Sequence, residues 1–181
     1  MSQVNILGFA GSLRQASYNR AALRAAQELL PKGASLEVVD LAPIPFFNED
    51  LEAKGMPEAV LEFRQKIAAA DALLIATPEY NYSLPPVLKN ALDWASRGAD
   101  SPLVGKTVGI MSASTGMFGG ARAQYHLRQV CVRLNVLPLN QPEMFITFAA
   151  RKFDEDGKLT DDRTRSHLAR LLQALVVQVR Q

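Results

Sequence analysis

Two rhythms of apolar and polar positions take turns along this chain. Short apolar runs at residues 4–10, 36–41, 72–76, 107–112 and 136–139 have strand length. The third lacks polar alternation altogether, the pattern of a strand covered on both faces. Between the runs lie segments with a 3.6-residue period. The first spans residues 19–30 and is closed by Pro31-Lys32-Gly33. A second starts at Pro57, a favourable first helical residue, and places Val60, Phe63, Ile67 and Ala70 on one face. The third covers residues 86–97. The fourth covers 120–134, with Leu127, Val130, Cys131 and Leu134 at i, i+3, i+4 and i+7. The last carries an unbroken stripe of Leu168, Leu171, Leu172, Leu175, Val176 and Val179. Pro43 and Pro45 exclude helix from the stretch after the second strand.

Five strand–helix units in strict alternation predict an α/β fold, with one parallel sheet and helices on both faces. Right-handed crossovers restrict the winding. The expected architecture is a flavodoxin-like three-layer sandwich with strand order 2-1-3-4-5, formed by a single domain over residues 1–181. In that order the connections from strands one and three diverge. The crevice beyond their carboxyl ends is where a ligand is expected.

Composition narrows the picture. The chain has 181 residues, 48% apolar and 21% charged. A domain of that size buries roughly 70% of its unfolded surface, so no disulfide or metal staple is needed. A formal charge of +2 gives no basic stripe for nucleic acid or an anionic membrane. One cysteine, Cys131, excludes an internal disulfide and a multi-cysteine metal cage. The start lacks a basic segment before its first apolar run, and no apolar run approaches the ~18 residues of a membrane span. A cytoplasmic protein without a bound metal is expected.

The chemistry lies in three loops that this winding brings to one edge. After the first strand come Gly11-Ser12-Leu13-Arg14-Gln15-Ala16-Ser17-Tyr18-Asn19. Glycine for a tight turn, two hydroxyls, a guanidinium and a helix start are the parts of a phosphate cradle. The dinucleotide fingerprint is absent, because no third glycine follows Gly8 and Gly11. Gly105-Lys106-Thr107 is not a phosphate-binding loop either, since Asp100 stands where its first glycine belongs and a strand follows. Receiver-type domains need acidic residues after strands one and three, where this chain has Gly-Ser and Thr-Pro. The second loop, Thr77-Pro78-Glu79-Tyr80-Asn81-Tyr82-Ser83-Leu84-Pro85-Pro86, is stiffened by three prolines and carries two tyrosines. Such a loop suits a flat heteroaromatic ring needing a wall and edge hydrogen bonds. The third, residues 112–120, contains Gly116, Gly119 and Gly120 and lets a ligand approach the main chain. Each loop alone also fits an ordinary turn; their convergence carries the reading.

Taken together, Gly11-Ser12-Leu13-Arg14 with Ser17 and Asn19, Thr77-Pro78-Glu79-Tyr80-Asn81, Leu88-Lys89-Asn90-Ala91-Leu92-Asp93-Trp94, and Ser114-x-Gly116-x-x-Gly119-Gly120 resemble the NAD(P)H-dependent FMN reductases. That family includes quinone, chromate and azo-dye reductases. The resemblance implies FMN, with its phosphate on Ser12, Arg14, Ser17 and Asn19. It places Pro78, Glu79, Tyr80 and Asn81 along the ribityl chain and ring edge, and Ser114 with Gly116 beside the ring. It further implies a ping-pong cycle in which NADPH or NADH delivers a hydride to the flavin and leaves. A quinone, flavin, azo compound or chromate then takes two electrons on the same face. No side-chain nucleophile is required, and Tyr80 is the candidate acceptor-site residue. Pro86 and Phe118 depart from the pattern in ways that bear on the acceptor pocket. Arg14 and Arg97 are candidates for reading the extra phosphate of NADPH. The resemblance also implies a dimer through the helix carrying Leu84 and Trp94, and a tetramer joined by Arg122, Tyr125 and Glu143. His126, His167 and Cys131 are expected outside catalysis, and Asp154-Glu155-Asp156-Gly157 as a surface turn. The rival readings are a flavodoxin-type electron carrier, disfavoured by the basic charge and the missing Thr/Ser-Thr-Gly loop, and a flavin-free scaffold.

Overall fold

The computed structural model describes residues 3–181. Its first strand, β1 (Val4–Ala10), leads into α1 (Tyr18–Glu28) and β2 (Ala34–Val39). A one-turn helix α2 (Glu49–Glu52) precedes α3 (Glu58–Ala69), β3 (Ala72–Thr77) and α4 (Pro86–Ala95). Then follow β4 (Thr107–Ala113), α5 (Ala121–Leu134), β5 (Leu137–Pro138), β6 (Met144–Ile146) and α6 (Asp162–Val179). All strand pairings are parallel, in the order β2-β1-β3-β4-β5 that the sequence predicts. The fold is flavodoxin-like.

Strand alternation divides the core in two. Ile6 and Ala10 of β1 and Leu74 and Ala76 of β3 face α1 and α6, while Leu7, Phe9, Leu73 and Ile75 face α3, α4 and α5. The terminal stripe predicted for α6 packs on the first of these cores, with Leu168, Leu172, Leu175 and Val176 fully buried and Val179 at its edge. Gly109 of β4 lies under α6: a Cβ there would stand 3.4 Å from Leu175.

The structure extends the predicted five-stranded sheet at one edge. Instead of one strand over 136–139, a two-residue β5 pairs with the start of β4, and a separate β6 pairs with its end, Met111 opposite Met144 through Ala113 opposite Ile146. Pro138 has no N–H to continue a ladder, and Pro142 breaks the connection, so the edge is built in two pieces. Residues 42–47 are free of helix as expected, and a short helix α2 follows them where no element was predicted, begun by Asn48, whose side chain accepts the Asp50 N–H at 2.8 Å. Among the described residues no helix is long and apolar enough to cross a membrane.

Candidate functional site

The three loops meet at the carboxyl end of the sheet around a cavity of about 200 Å³. Ser12, Arg14, Ser17, Tyr18 and Asn19 form one side of it. Pro78, Glu79 and Tyr80 form another, and Ala113, Ser114 and Thr115 the third. Close approach requires Gly11, because a Cβ there would lie 2.6 Å from Pro85 Cγ and 3.3 Å from Pro78 Cδ. Main-chain bonding agrees, with the Gly11 N–H donating to the Ala76 carbonyl at 2.9 Å.

On the first side, Ser17 caps α1. Its hydroxyl accepts the Asn19 N–H at 3.2 Å. Ser12 and Ser17 are nearly buried, at 5% and 3% exposure. Arg14 is exposed and lies 5.8 Å from the Tyr18 ring centroid. Among the described residues it forms no ion pair. An unpaired guanidinium beside two hydroxyls at a helix start is chemistry suited to an anion. Asn19 is different. Its amide donates to the Ala113 carbonyl at 3.0 Å and accepts the Ala113 N–H at 2.9 Å, so the side chain staples α1 to the end of β4.

The second side is a tight turn. Tyr80 and Ser83 exchange both main-chain hydrogen bonds, at 2.9 and 3.0 Å, around Asn81 and Tyr82. Those two central residues have φ of +47° and +70°. Asparagine tolerates that region, whereas a left-handed tyrosine costs on the order of 1–3 kcal/mol. A guanidinium stacks on the strained ring: Arg122 lies 3.8 Å from the Tyr82 centroid and 4.3 Å from that of Phe118. A cation over an aromatic face returns about 0.5–2 kcal/mol, so the stack is of the right size to hold the turn. The Glu79 carboxylate is also engaged. It forms a close ion pair with Arg122 Nε at 2.7 Å and accepts the Arg122 N–H at 3.1 Å. Because the residue at the N-cap of α5 is Gly120, which has no side chain to cap it, this carboxylate caps the helix from another loop.

The third side is held from below. Ser114 N–H donates to Ile146, and Phe148 and Ala149 N–H donate to Gly116 and Ser114. Gly120 has φ +86°, and a Cβ there would stand 2.7 Å from Ser112 Cβ. Buried Gln124 donates to the Ser112 hydroxyl at 2.8 Å, and that hydroxyl donates to the Gly119 carbonyl at 2.5 Å.

The structure therefore brings Ser12, Arg14, Ser17, Asn19, Pro78, Glu79, Tyr80 and Ser114 to one cavity. Asn81 sits on the exposed turn beside it. Gly116 lies in the loop just beyond Thr115, its N–H on the Ser114 hydroxyl at 3.1 Å. Sequence reading missed Tyr18, Ala113 and Thr115 on the lining. Arg122, which the resemblance gives to contacts between copies, is engaged within its own chain. Arg97 is engaged too. Its Nε donates to both oxygens of Glu52, at 2.9 and 3.0 Å, and that bond raises Arg97 and lowers Glu52. The predicted interface stripe on α4 is core: Leu88, Ala91 and Trp94 are wholly buried by this chain. Asn90 and Trp94 serve the loop before α2, both donating to the Pro45 carbonyl at 2.8 Å.

The remaining titratable candidates lie outside the cavity. Burial pushes the Cys131 thiol up to about 11, which keeps it protonated and unreactive at neutral pH. Burial, with Arg170 nearby, lowers His167. His126 Nδ1 stands 3.0 Å from the Ser83 hydroxyl. Among the described residues no group of three His, Cys, Asp or Glu side chains is placed to hold a metal ion.

Comparison with known proteins adds an independent line. The sequence profile of the NADPH-dependent FMN reductases matches residues 4–151. An NAD(P)H-dependent FMN reductase of Pseudomonas aeruginosa is 55% identical over 177 residues, spanning 98% of this chain and 96% of that one. An NAD(P)H:quinone oxidoreductase of Solanum tuberosum is 47% identical over 178 residues, spanning 95% and 91%. Among solved structures, the flavoenzyme NAD(P)H:(acceptor) oxidoreductase FerB from Paracoccus denitrificans superposes with a TM-score of 0.89. It is 31% identical, over 98% of this chain and 97% of that one.

Proposed function

Since the chain belongs to the NADPH-dependent FMN reductase family and is an NAD(P)H-dependent flavin oxidoreductase, we propose that FMN occupies the three-loop cavity and that quinones are the principal acceptors. One observation carries this reading: an unpaired Arg14, two nearly buried hydroxyls and the start of α1 share a cavity with a proline-stiffened, tyrosine-bearing wall. That donor set fits a phosphate monoester at one end and a flat ring at the other.

Ser12, Arg14 and Ser17 hold the phosphate. Asn19 acts beneath them by fixing the start of α1 to β4. Pro78 and the main chain of Glu79 border the ring, and Ser114 with Gly116 borders its other side. Asn81 presents its amide at the turn. FMN, when bound, supplies the two-electron chemistry, accepting a hydride from NADPH or NADH and passing two electrons to the acceptor. The protein's part is to orient the ring and leave one face open. Tyr80, 48% exposed at the mouth, is the side chain that meets the acceptor. Of the two arginines considered for NADPH, Arg97 is paired with Glu52 and Arg14 is assigned to the FMN phosphate, so neither reads the extra phosphate of NADPH in this proposal.

Association of copies is proposed through the exposed apolar rim made by Tyr82, Met117, Phe118 and Tyr125 and through the outward face of α4, whose Leu88, Ala91 and Trp94 are turned into the core. Tyr125 and Glu143, 3.3 Å apart in one chain, border that rim. Light scattering reads the mass directly. The deciding functional experiment loads the purified protein with FMN and follows NADPH and NADH oxidation with a quinone panel. Steady turnover supports an enzyme. FMN uptake without turnover indicates an electron carrier, and no FMN uptake removes the reading.

A further inference from the structure

Helix α5 carries Arg122 and His126 one turn apart, and both reach the turn after β3. Arg122 alone contacts three residues in two loops. Its main-chain N–H donates to the Glu79 carboxylate and its guanidinium forms the ion pair with it, while the rings of Tyr82 and of Phe118 in the next loop both lie against that guanidinium. His126 adds the contact to Ser83. The turn they grip has two consecutive non-glycine residues in the left-handed region, Asn81 and Tyr82. Such backbone persists only where its surroundings over-determine it, and it concentrates at working sites.

We propose that Arg122, backed by His126, is a positioning residue for the ring-facing wall. It holds the turn over Tyr80–Ser83 in its left-handed form, and it locks Glu79 so that this wall and the loop of Phe118 move as one piece. The Glu79 carboxylate is thereby a structural partner of Arg122 and not a ligand of the cofactor. This assignment rests on the FMN reading for its consequence, but the clasp itself is a property of the ligand-free chain. A turn that needed no external hold would carry glycine at position 82. The side chain that does hold it is the one arginine on α5 within reach of the strained ring.

The test separates clasp from cofactor. In apoprotein Arg122→Ala, amide hydrogen exchange at Tyr80 and Ser83, the two N–H groups bonded within the turn, rises about tenfold or more while β3 amides stay protected. Arg122→Lys keeps the charge without the flat stack and falls between; it also serves should the alanine variant fold poorly. FMN affinity, titrated by fluorescence, falls about tenfold in Arg122→Ala, and the visible circular dichroism of the bound flavin changes shape. Tyr82→Gly supplies the strongest check. Glycine adopts this backbone unaided, so in that background Arg122→Ala loosens exchange in the turn by about threefold at most. Unchanged turn exchange in Arg122→Ala overturns the clasp, as does a change in molecular mass with turn exchange and flavin dichroism intact, which would return Arg122 to contacts between copies. Failure of the wild-type chain to take up FMN, with the exchange result as expected, sinks the functional reading and leaves the clasp standing.

Discussion

At the amino-terminal end of the sheet a groove of about 710 Å³ runs between β1, β2 and α3, whereas the three-loop cavity at the carboxyl end measures about 200 Å³. Size favours the first. Its lysine and three more of its polar side chains, however, are already matched to one another. Lys66 pairs with Glu37 at 2.5 Å, the Ser35 hydroxyl donates to Asn5 at 2.9 Å, and the Asn5 N–H donates to Asp71 at 2.8 Å. Lys106 closes the end of α3 by donating to the carbonyls of Ala68 and Ala70, and its burial lowers its pKa. The carboxyl end keeps an arginine without a carboxylate, strained backbone and exposed tyrosines. Unmatched chemistry, more than volume, distinguishes a site from a dent in the surface.

The largest expected effect comes from breaking what supports the smaller cavity. Asn19→Ala leaves the N–H and the carbonyl of Ala113 without partners in a buried setting. With each orphaned group toward the lower part of its usual range of about 1–3 kcal/mol, a loss of about 2–4 kcal/mol is expected. For a chain of this length that lowers Tm by roughly 5–15 °C, read by calorimetry. A variant as stable as the wild type would mean that Asn19 is free for a ligand after all. Next is Arg14→Ala, which removes the unmatched cation itself. Charge-assisted bonds of about 1.5–3 kcal/mol translate to a tenfold or greater loss of FMN affinity with the fold unaltered. Fluorescence titration checks this, and equal affinity would dismantle the cradle.

How much of this contrast could be read without coordinates depends on the distance over which each feature is decided. The strands and long helices were visible because each repeats its apolar positions over a full element. The loops were visible because glycine, proline, serine and tyrosine cluster at the ends of the same strands. The two-residue β5, the three-residue β6 and the single turn of α2 are too short to establish a period. Side-chain engagements were hidden for another reason. Asn19 finds Ala113 across 94 positions, Glu79 finds Arg122 across 43, and Arg97 finds Glu52 across 45. Residue type named them as candidates for a ligand, but only the tertiary fold reveals that their groups are already occupied. Arg14 remained a candidate under both tests.

A comparison among helix starts sharpens the same distinction at smaller scale. Helix α6 is capped by its own Asp161, whose carboxylate accepts the Thr164 N–H at 2.8 Å and is bonded by the Thr164 hydroxyl as well. Those bonds, the hydroxyl's first, hold the carboxyl below its ordinary value. Asp161→Ala is expected to cost about 1 kcal/mol near neutrality. A depressed folded pKa means that the stabilisation is fully present above the unfolded value, near 4, and fades as pH falls through the folded one. The gap between wild type and variant in urea unfolding should therefore stay level from pH 7 to about 5 and narrow only in stronger acid. FMN affinity should not change, because this helix start does not line the three-loop cavity.

The smallest expected effect returns to the amino-terminal groove. Lys66→Ala removes the cation there, yet Lys66 and Glu37 have side chains 42% and 58% exposed. Water and salt screen such a pair, which places the change in stability within about 0.5 kcal/mol. Sodium chloride at high concentration should erase even that. FMN affinity and quinone turnover should match the wild type, because the groove lies at the opposite end of the strands from Arg14 and Tyr80. The informative comparison sets this variant beside Arg14→Ala in one titration, since both remove a single surface cation. An FMN affinity loss of similar size in the two would mean that net charge, and not the local match of groups, draws the cofactor in. A loss confined to Arg14→Ala assigns binding to the end of the sheet where the cation has no partner of its own.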